Sequence, residues 1–486
     1  MTDFGRLLQR LKVDGPLSVD ERSVPLGTAW LAHRQLGIDL ATHGYEELEF
    51  IVSGLADAWT WDPDLRAVSL GARPFSTRVL VRRPIQPARF SGAVQLEPHH
   101  PDEDRALTWG MIAPWVVRCG HAHVGVTQHP PTVADLVAWD PERYSQLSIP
   151  DSTQRWDIVG LLAAGIATGA VPAFADLAVK RTLLSGWSMT GTFCRTFLGE
   201  GFHDRCRVDG AAVIDGYVIC ISSGGAGRPG YASLGNGRVL PLGDRRRTIG
   251  VYGVPVVELL SEAESETQRD VLRPDADGPD DLYRLYQIAG TGHVITGRRS
   301  PATNRAQMRE RGFATPPREI NEMPSDARMD LVTQALFAAV DRWVADGVAP
   351  PRTERFRYDA RSSAGVRGRM PESLPLERDV DGNVVGGIRT PWVGVPFATY
   401  LPHSTPRPGR CEPSAHAPYS DPALVADLVA HMEPFPVAEL KRRYGNSRSY
   451  MGRFEQAART LAGTGCLLAD DLPELLASHR ESCGDW

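Results

Sequence analysis

Residues 179–202 change from an apolar run to apolar residues at helical spacing. The run ends in the small-residue turn GWSMTG at 186–191, and Phe193, Phe197 and Leu198 then follow on one predicted helix face. This change of period predicts a strand, a tight turn and a helix. Such a unit presents the side chain in its turn at the carboxyl end of a sheet.

Ser188 stands in this turn between Gly186 and Gly191. In a nucleophile elbow a serine occupies this place, and glycines nearby allow a strained backbone and close packing of strand against helix. The usual elbow has glycine two residues after the serine, where this chain has Thr190. We therefore predict Ser188 as a nucleophile, and an ordinary Gly-Ser turn is the alternative.

Further apolar stretches alternate with helical patterns along the middle of the chain. Strands that alternate with helices form a mostly parallel sheet covered on both faces. We predict an α/β fold with a doubly wound, mostly parallel sheet, an N-terminal β-rich extension and a C-terminal helical region. The predicted strands are 75–83, 92–97, 121–127, 211–222, 251–260 and 281–288, and the predicted helices are 109–118, 158–175 and 329–346.

Changes in composition divide the chain into three predicted regions. Residues 1–75 form a β-rich accessory segment, and residues 76–349 form the α/β core. Residues 350–486 form a cap or wrapping region that is rich in Pro and Arg at first and helical from 422 to 478.

The charge balance bears on the partners of the protein. The 486 residues carry 53 Lys and Arg against 59 Asp and Glu, a net charge of -6, so no global basic field attracts nucleic acid or anionic lipid. The uncharged run 158–175 is long enough for a membrane span, but its Gly, Ala and Pro content favours a buried helix. We expect a protein without a nucleic-acid or membrane partner, and a homo-oligomer is an open possibility.

The seven cysteines are odd in number and form no C-x-x-C pair. This usage is typical of reduced thiols, and the N-terminus lacks a secretory signal, so we expect a cytoplasmic location. Cys194, six residues after Ser188, is interpreted as core packing.

An acid and a histidine follow Ser188 at the ends of later predicted strands. The strand 251–260 runs into an acidic cluster, and the strand 281–288 runs into the small-residue loop that ends at His293. A serine hydroxyl needs a base within hydrogen-bond reach, and a carboxylate then orients the imidazole. We predict a triad of Ser188, His293 and Glu264, with Glu262 as the alternative acid.

Two other motifs suggest different chemistry. His99, His100, His121, His123 and His129 invite a metal site, but no carboxylate or cysteine joins them at ligand spacing, so loop or core histidines are favoured. The Gly-rich run 223–230 lacks the Lys-Ser/Thr ending of a phosphate loop, and we interpret it as a surface loop. We expect neither a metal nor another cofactor.

An ordered set of segments is similar to the large bacterial α/β-hydrolase domain proteins, a poorly characterised esterase-like family. The resemblance implies the α/β-hydrolase fold over most of the chain. The segments are FSTRVLVRRP (75–84), FSGAVQLE (90–97), GWSMTG (186–191), PVVELLSEAE (255–264), LYQIAGTGH (285–293) and DGNVVGGIRTPWVGVPFATY (381–400).

The resemblance also implies residue roles. Ser188, His293 and Glu264 correspond to nucleophile, base and acid, and the Met189 N–H corresponds to half of the oxyanion hole. The second donor is expected in the loop after 90–97, at His99 or else His100, because Pro98 has no N–H.

Two departures from the family pattern bear on specificity, and one arginine of a family segment has two possible roles. The family has Gln-Ser after its nucleophile where this chain has Met189 and Thr190, and Asp where it has Glu264. Arg389, in the family segment GGIRTP, is expected either to contact a substrate carboxylate or, as we favour, to brace the C-terminal region.

The residues support three functions. The first is a serine hydrolase that cleaves a small-molecule ester, lactone or thioester through an acyl-enzyme. The second is an acyltransferase or cyclase of secondary metabolism that uses the same acyl-enzyme. The third is a catalytically silent ligand-binding protein on a hydrolase scaffold.

Overall fold

The computed structural model describes most of the chain. The described residues are 3–20, 23–27, 38–222, 234, 240–241, 244–268, 271–294, 305–310, 312, 317–359, 374–412 and 421–486.

Strands and helices alternate through the middle of the described chain, as predicted. The strands are β1 Lys12–Asp14, β2 Tyr45–Trp61, β3 Ala67–Pro84, β4 Ala93–Pro98, β5 Ala122–Val126, β6 Arg181–Trp187, β7 Gly216–Cys220, β8 Val256–Leu260, β9 Ala276–Asp277, β10 Leu282–Gln287, β11 Arg318–Ile320, β12 Met323–Pro324, β13 Ala398–Leu401, β14 Pro406–Cys411 and β15 His431–Pro434. The helices are α1 Asp3–Leu8, α2 Leu107–Cys119, α3 Pro130–Trp139, α4 Pro141–Tyr144, α5 Arg155–Ala167, α6 Met189–Gly199, α7 Phe202–Arg205, α8 Glu262–Thr267, α9 Arg305–Glu310, α10 Met329–Asp346, α11 Pro391–Gly394, α12 Pro422–Asp427, α13 Val437–Tyr444, α14 Ser447–Gly463 and α15 Leu472–Cys483.

Ten of these strands form one sheet in the order β1-β2-β3-β5-β4-β6-β7-β8-β10-β9. The six strands from β5 to β10 in this order pair in parallel, and the strands at both ends pair antiparallel. Parallel neighbours bring their carboxyl ends to the same edge, so the residues that follow β4, β6, β8 and β10 meet there. The predicted fold class is confirmed.

Helices cover both faces of the sheet. On one face α5 and α6 pack together, and Trp156 stacks on Phe193 with ring centroids 4.6 Å apart. On the other face α2 packs against α10 through Trp115 and Phe337. A parallel sheet needs this cover because both of its faces are apolar.

One described helical stretch, Ser152–Phe174, has the length and apolar composition of a membrane span, and 72% of its most apolar window is buried inside the protein. A buried core helix of a soluble protein can have the same length and apolar composition. The stretch contains α5, which packs in the core beneath β6.

Several predicted boundaries are wrong. The division at residue 75 falls inside β3, which pairs with β2 along a long hairpin that belongs to the main sheet. The strand predicted at 211–222 begins only at Gly216, because Val213 and Ile214 are buried outside the ladder. The strand predicted at 251–260 begins at Val256, after a proline that has no N–H for the ladder.

The C-terminal region wraps the second face. Its helices α14 and α15 pack on the core through Phe454, Leu461 and other buried side chains. The tail predicted as helical also contains β15, which pairs with β12 and β13 in a small separate sheet.

Candidate active site

The turn after β6 holds Ser188 in a strained conformation. Its φ of 59° and ψ of -118° lie outside the regions that non-glycine residues ordinarily occupy. The Ser188 N–H donates to the Cys220 carbonyl at 3.0 Å, which fixes the turn to the end of β7. Backbone strain of this kind costs about 1–3 kcal/mol and persists only where the surroundings enforce it.

Two glycines permit this geometry. A Cβ on Gly191 would lie 2.5 Å from the Cys220 carbonyl oxygen, and a Cβ on Gly186 would overlap the Thr190 carbonyl. Thr190, which stands where glycine is usual, bonds across the turn instead: its Oγ1 accepts from the Trp187 N–H at 2.8 Å and donates to the Trp187 carbonyl at 2.9 Å. The close approach needed by the elbow is therefore met by glycines at 186 and 191.

The histidine loop, residues 289–293, follows β10 and places His293 beside Ser188. The Ser188 Oγ lies 2.8 Å from His293 Nε2, although 105 residues separate the two positions. The serine is 4% exposed and the histidine 5%. A hydroxyl this close to an imidazole can transfer its proton directly.

Glu264 completes the chain of hydrogen bonds. The His293 Nδ1 donates to Glu264 Oε1 at 2.6 Å, and this carboxylate is 1% exposed. Its second oxygen accepts from the hydroxyl and, at 3.3 Å, from the N–H of Ser261. A carboxylate on Nδ1 fixes the tautomer that leaves Nε2 free to accept a proton.

Ser261 and Glu264 form a capping box at the start of α8. Neither this short helix nor a role for Ser261 was predicted from the acidic cluster in the sequence. The pattern S-x-x-E is the sequence signature of a capping box. It would have predicted both the short helix and the hydrogen bond between Ser261 and Glu264.

Glu262, the alternative acid, does not contact His293. Its Oε1 accepts from the Gly290 N–H at 2.6 Å, its N–H donates to the Thr291 carbonyl at 3.2 Å, and its Oε2 pairs with Arg378 at 2.6 Å. Burial raises the pKa of Glu262, while Arg378 opposes that shift. Glu262 therefore anchors the histidine loop, and of the two acids only Glu264 contacts the imidazole.

The comparison with protein families identifies the family of this chain. A family model described as an alpha/beta hydrolase domain matches residues 13–477. This chain belongs to the α/β-hydrolase domain family. No curated protein matches the sequence.

Solved structures similar to this α/β hydrolase include several esterases. A thermostable esterase from Pseudomonas putida is 14% identical and matches 60% of this chain and 91% of its own, with a TM-score of 0.31. An esterase from Pyrobaculum calidifontis is 13% identical over 61% and 86%, with a TM-score of 0.31. A bacterial heroin esterase is 13% identical over 53% and 79%, with a TM-score of 0.29. Identities of this size bear on the fold alone.

The GGIRTP segment, residues 386–391, lies against the histidine loop of this α/β hydrolase. Ile388 forms a parallel bridge with Ile288, its N–H donates to the Gln287 carbonyl at 2.7 Å, and its carbonyl accepts from the Ala289 N–H at 3.1 Å. The segment thus extends the sheet by one short stretch beside the end of β10.

Among the described residues, Arg389 of the same segment contacts only groups of the C-terminal region. Its guanidinium donates to the Val384 carbonyl at 2.7 Å, to the Val393 carbonyl at 3.0 Å and to Asp379 at 3.0 Å. These bonds fit the bracing role that we favoured from the sequence.

The two expected oxyanion donors differ in whether their backbone N–H already has an acceptor. Met189 is the first residue of α6, where backbone N–H groups have no acceptor within the helix and carry the positive end of the helix dipole. The His99 N–H, in contrast, donates to the Val126 carbonyl at 2.8 Å. The assignment of the His99 N–H as second donor is wrong, because β5 extends its ladder to this residue.

The remaining histidines have structural contacts. His99 lies 3.2 Å from Asp104, His121 lies 2.5 Å from the Ser91 hydroxyl, and His123 lies 3.0 Å from both Glu97 and Arg82. Among the described residues no group of three or more His, Cys, Asp and Glu side chains could hold a metal ion. The Gly-rich run 223–230 lies outside the described residues.

Proposed function

We propose that this protein is a serine hydrolase that cleaves a small-molecule carboxylic ester, lactone or thioester through an acyl-enzyme. The observation that carries the proposal is the continuous chain from Ser188 Oγ to His293 at 2.8 Å and from His293 to Glu264 at 2.6 Å. Membership of the α/β-hydrolase domain family supports the same reaction type.

In the first half-reaction His293 Nε2 takes the hydroxyl proton as Ser188 Oγ attacks the carbonyl carbon. Glu264 stabilises the imidazolium that forms. The tetrahedral intermediate carries its negative charge on the former carbonyl oxygen, beside the Met189 N–H. Collapse of the intermediate breaks the bond to the alcohol, which leaves with the proton from His293.

In the second half-reaction His293 takes a proton from water, and the hydroxide attacks the acyl-enzyme. The second intermediate collapses to release the acid and restores the Ser188 hydroxyl with the proton from His293. No cofactor takes part in this scheme. We also propose a cytoplasmic setting, in keeping with seven unpaired cysteines.

The test is the replacement Ser188→Ala, assayed on p-nitrophenyl esters. We expect turnover to fall by at least about 1,000-fold, because loss of a nucleophile removes covalent catalysis, and a fluorophosphonate probe should label the parent protein but not the variant. The control is Ser185→Ala, which removes a buried hydroxyl of β6 that has no hydrogen-bond partner among the described residues.

Three outcomes would change the proposal. Parent protein that is folded yet neither turns over esters nor reacts with the probe would favour a silent binding protein. Products formed on an added alcohol or amine in preference to water would identify an acyltransferase. Unchanged turnover in Ser188→Ala would refute the nucleophile itself.

A further inference from the structure

The first residues after β4, up to Asp102, have no spare backbone donor for the oxyanion. Over residues 98–102, all of which the structure describes, Pro98 and Pro101 have no N–H. The His99 N–H donates to Val126, and the His100 N–H donates to the Arg105 carbonyl at 2.8 Å. The Asp102 N–H donates to the His100 ring at 3.1 Å. A second donor from this stretch must therefore be a side chain.

The sheet register brings His100 to the level of the nucleophile. Strands β4 and β6 are parallel neighbours, and Leu96 pairs with Leu184. His100 lies four residues beyond Leu96, and Ser188 lies four residues beyond Leu184. Parallel neighbours end at the same edge of the sheet, so both residues follow their strands at that edge. His100 is also close enough to His293 for their charges to interact.

The hydrogen bonding of His100 determines which ring nitrogen can donate. Its Nδ1 accepts the Asp102 N–H, so in the neutral ring Nε2 carries the proton. Burial lowers the pKa of His100 to about 3, with further lowering from Arg105, His293 and Arg318 and an opposing contribution from Asp102. His100 is thus a neutral N–H donor at ordinary pH and does not compete with His293 as a base.

Asp102 keeps this arrangement in place. Its carboxylate pairs with Arg105 at 2.6 Å and with Arg318 at 3.0 Å. Burial alone would raise the pKa of Asp102, but the two arginines hold it below its usual value. The ionised carboxylate anchors the backbone whose N–H fixes the His100 tautomer.

We propose that the His100 side chain is a catalytic residue that donates from Nε2–H to the oxyanion, opposite the backbone N–H of Met189. The proposal rests on the proposed function of Ser188. It replaces the backbone donor that the sequence indicated at His99 with a side-chain donor one residue later.

Two substitutions separate the donor from the structural contact. In His100→Asn the side-chain oxygen stands in for Nδ1 and can accept the Asp102 N–H, but nothing replaces Nε2. In His100→Gln the amide nitrogen stands in for Nε2. The measurements are kcat, KM and the inhibition constant of a trifluoromethyl ketone, which forms a tetrahedral adduct on the serine. Thermal unfolding reports whether each variant folds.

We expect His100→Asn to lower kcat by about 100-fold to 1,000-fold, the usual effect of a lost oxyanion donor. The inhibitor should weaken in parallel with kcat/KM while KM changes little. His100→Gln should retain kcat within about 10-fold of the parent, since an amide N–H also donates. His203→Gln is the control, because it also removes a buried imidazole, one that bonds to the Tyr217 hydroxyl.

The results also separate this proposal from the proposed function. Active parent protein with unchanged kcat in His100→Asn would overturn the assignment of His100 alone. Equal losses in the Asn and Gln variants, or a loss confined to KM, would also overturn it. Parent protein without esterase activity or probe labelling would overturn both proposals. If His100→Asn does not fold, His100→Gln decides: a loss of more than about 100-fold in a folded variant counts against the donor role.

Discussion

The serine turn and the histidine loop meet at one point but are supported in different ways. The serine turn is held by contacts within a few residues, such as Thr190 with Trp187, and by one adjacent strand end through Cys220. The histidine loop is held by residues far along the chain, namely Glu262 and Ile388.

This difference separates two kinds of preorganisation. Strain at Ser188 is imposed locally, so the turn keeps its shape as long as β6, β7 and α6 are packed. The position of His293 depends on α8 and on the C-terminal region, which contact the loop from two sides. A change far from the reacting atoms can therefore misplace the base without disturbing the nucleophile.

Among changes in the support of the two segments, the largest effect is expected from Gly191→Ala in the serine turn. The added Cβ would lie 2.5 Å from the Cys220 carbonyl oxygen, and neither backbone can move away without opening the sheet. Overpacking of this kind costs about 1–3 kcal/mol in the free energy of unfolding. A displaced nucleophile should lower kcat/KM by at least about 100-fold.

Urea unfolding and ester hydrolysis measure the two effects of Gly191→Ala. The control is Gly452→Ala in α14, where an added Cβ meets no atom within 4 Å. Alanine there should leave activity unchanged and slightly stabilise the helix. Normal activity in Gly191→Ala would contradict the local enforcement of the serine turn.

A smaller effect is expected from Glu262 in the support of the histidine loop. Glu262→Ala removes the acceptor of the Gly290 N–H and the partner of Arg378. We expect kcat to fall by about 10-fold, because the imidazole is less well positioned. Glu262→Gln keeps an oxygen for Gly290 and should recover part of that loss.

Probe labelling and pH profiles distinguish positioning by Glu262 from a general loss of stability. The kcat of Glu262→Ala should fall by a larger factor than the fraction of folded protein does, and KM should change little. Glu433→Gln, an exposed acid on β15, is the matched control. Glu262→Gln and Glu262→Ala with identical, parent-like kinetics would show that the loop does not need this anchor.

The sequence predicted the serine turn well because its determinants are adjacent. An apolar run, two glycines and a helical spacing were enough to place β6, Ser188 and α6. The order of serine, acid and histidine at strand ends also brought Ser188, Glu264 and His293 into consideration. Parallel strands make such predictions possible, since their carboxyl ends share one edge.

The sequence could not predict which backbone groups are already bonded. The His99 N–H is occupied because the β5 ladder continues to Val126, and no local pattern shows this. The role of GGIRTP was likewise hidden, because Ile388 pairs with Ile288 across 100 residues. The start of β7 was placed too early because Val213 and Ile214 are buried without belonging to the ladder. The start of β8 was placed too early because Pro255 has no N–H for the ladder.

The smallest effect is expected from Arg389, at the outer edge of the support of the histidine loop. Arg389→Ala removes donors to Val384, Val393 and Asp379 but no contact to the triad. We expect the free energy of unfolding to fall by about 1–2 kcal/mol and kcat/KM to change by less than about threefold. Arg342→Ala, an exposed arginine of α10, is the control. An arginine that binds a substrate carboxylate would behave differently: KM would rise for esters that carry a carboxylate, not for neutral esters, and stability would be unchanged. That result would assign Arg389 to substrate binding instead of bracing. The GGIRTP segment would then support the site both by binding substrate and by positioning His293.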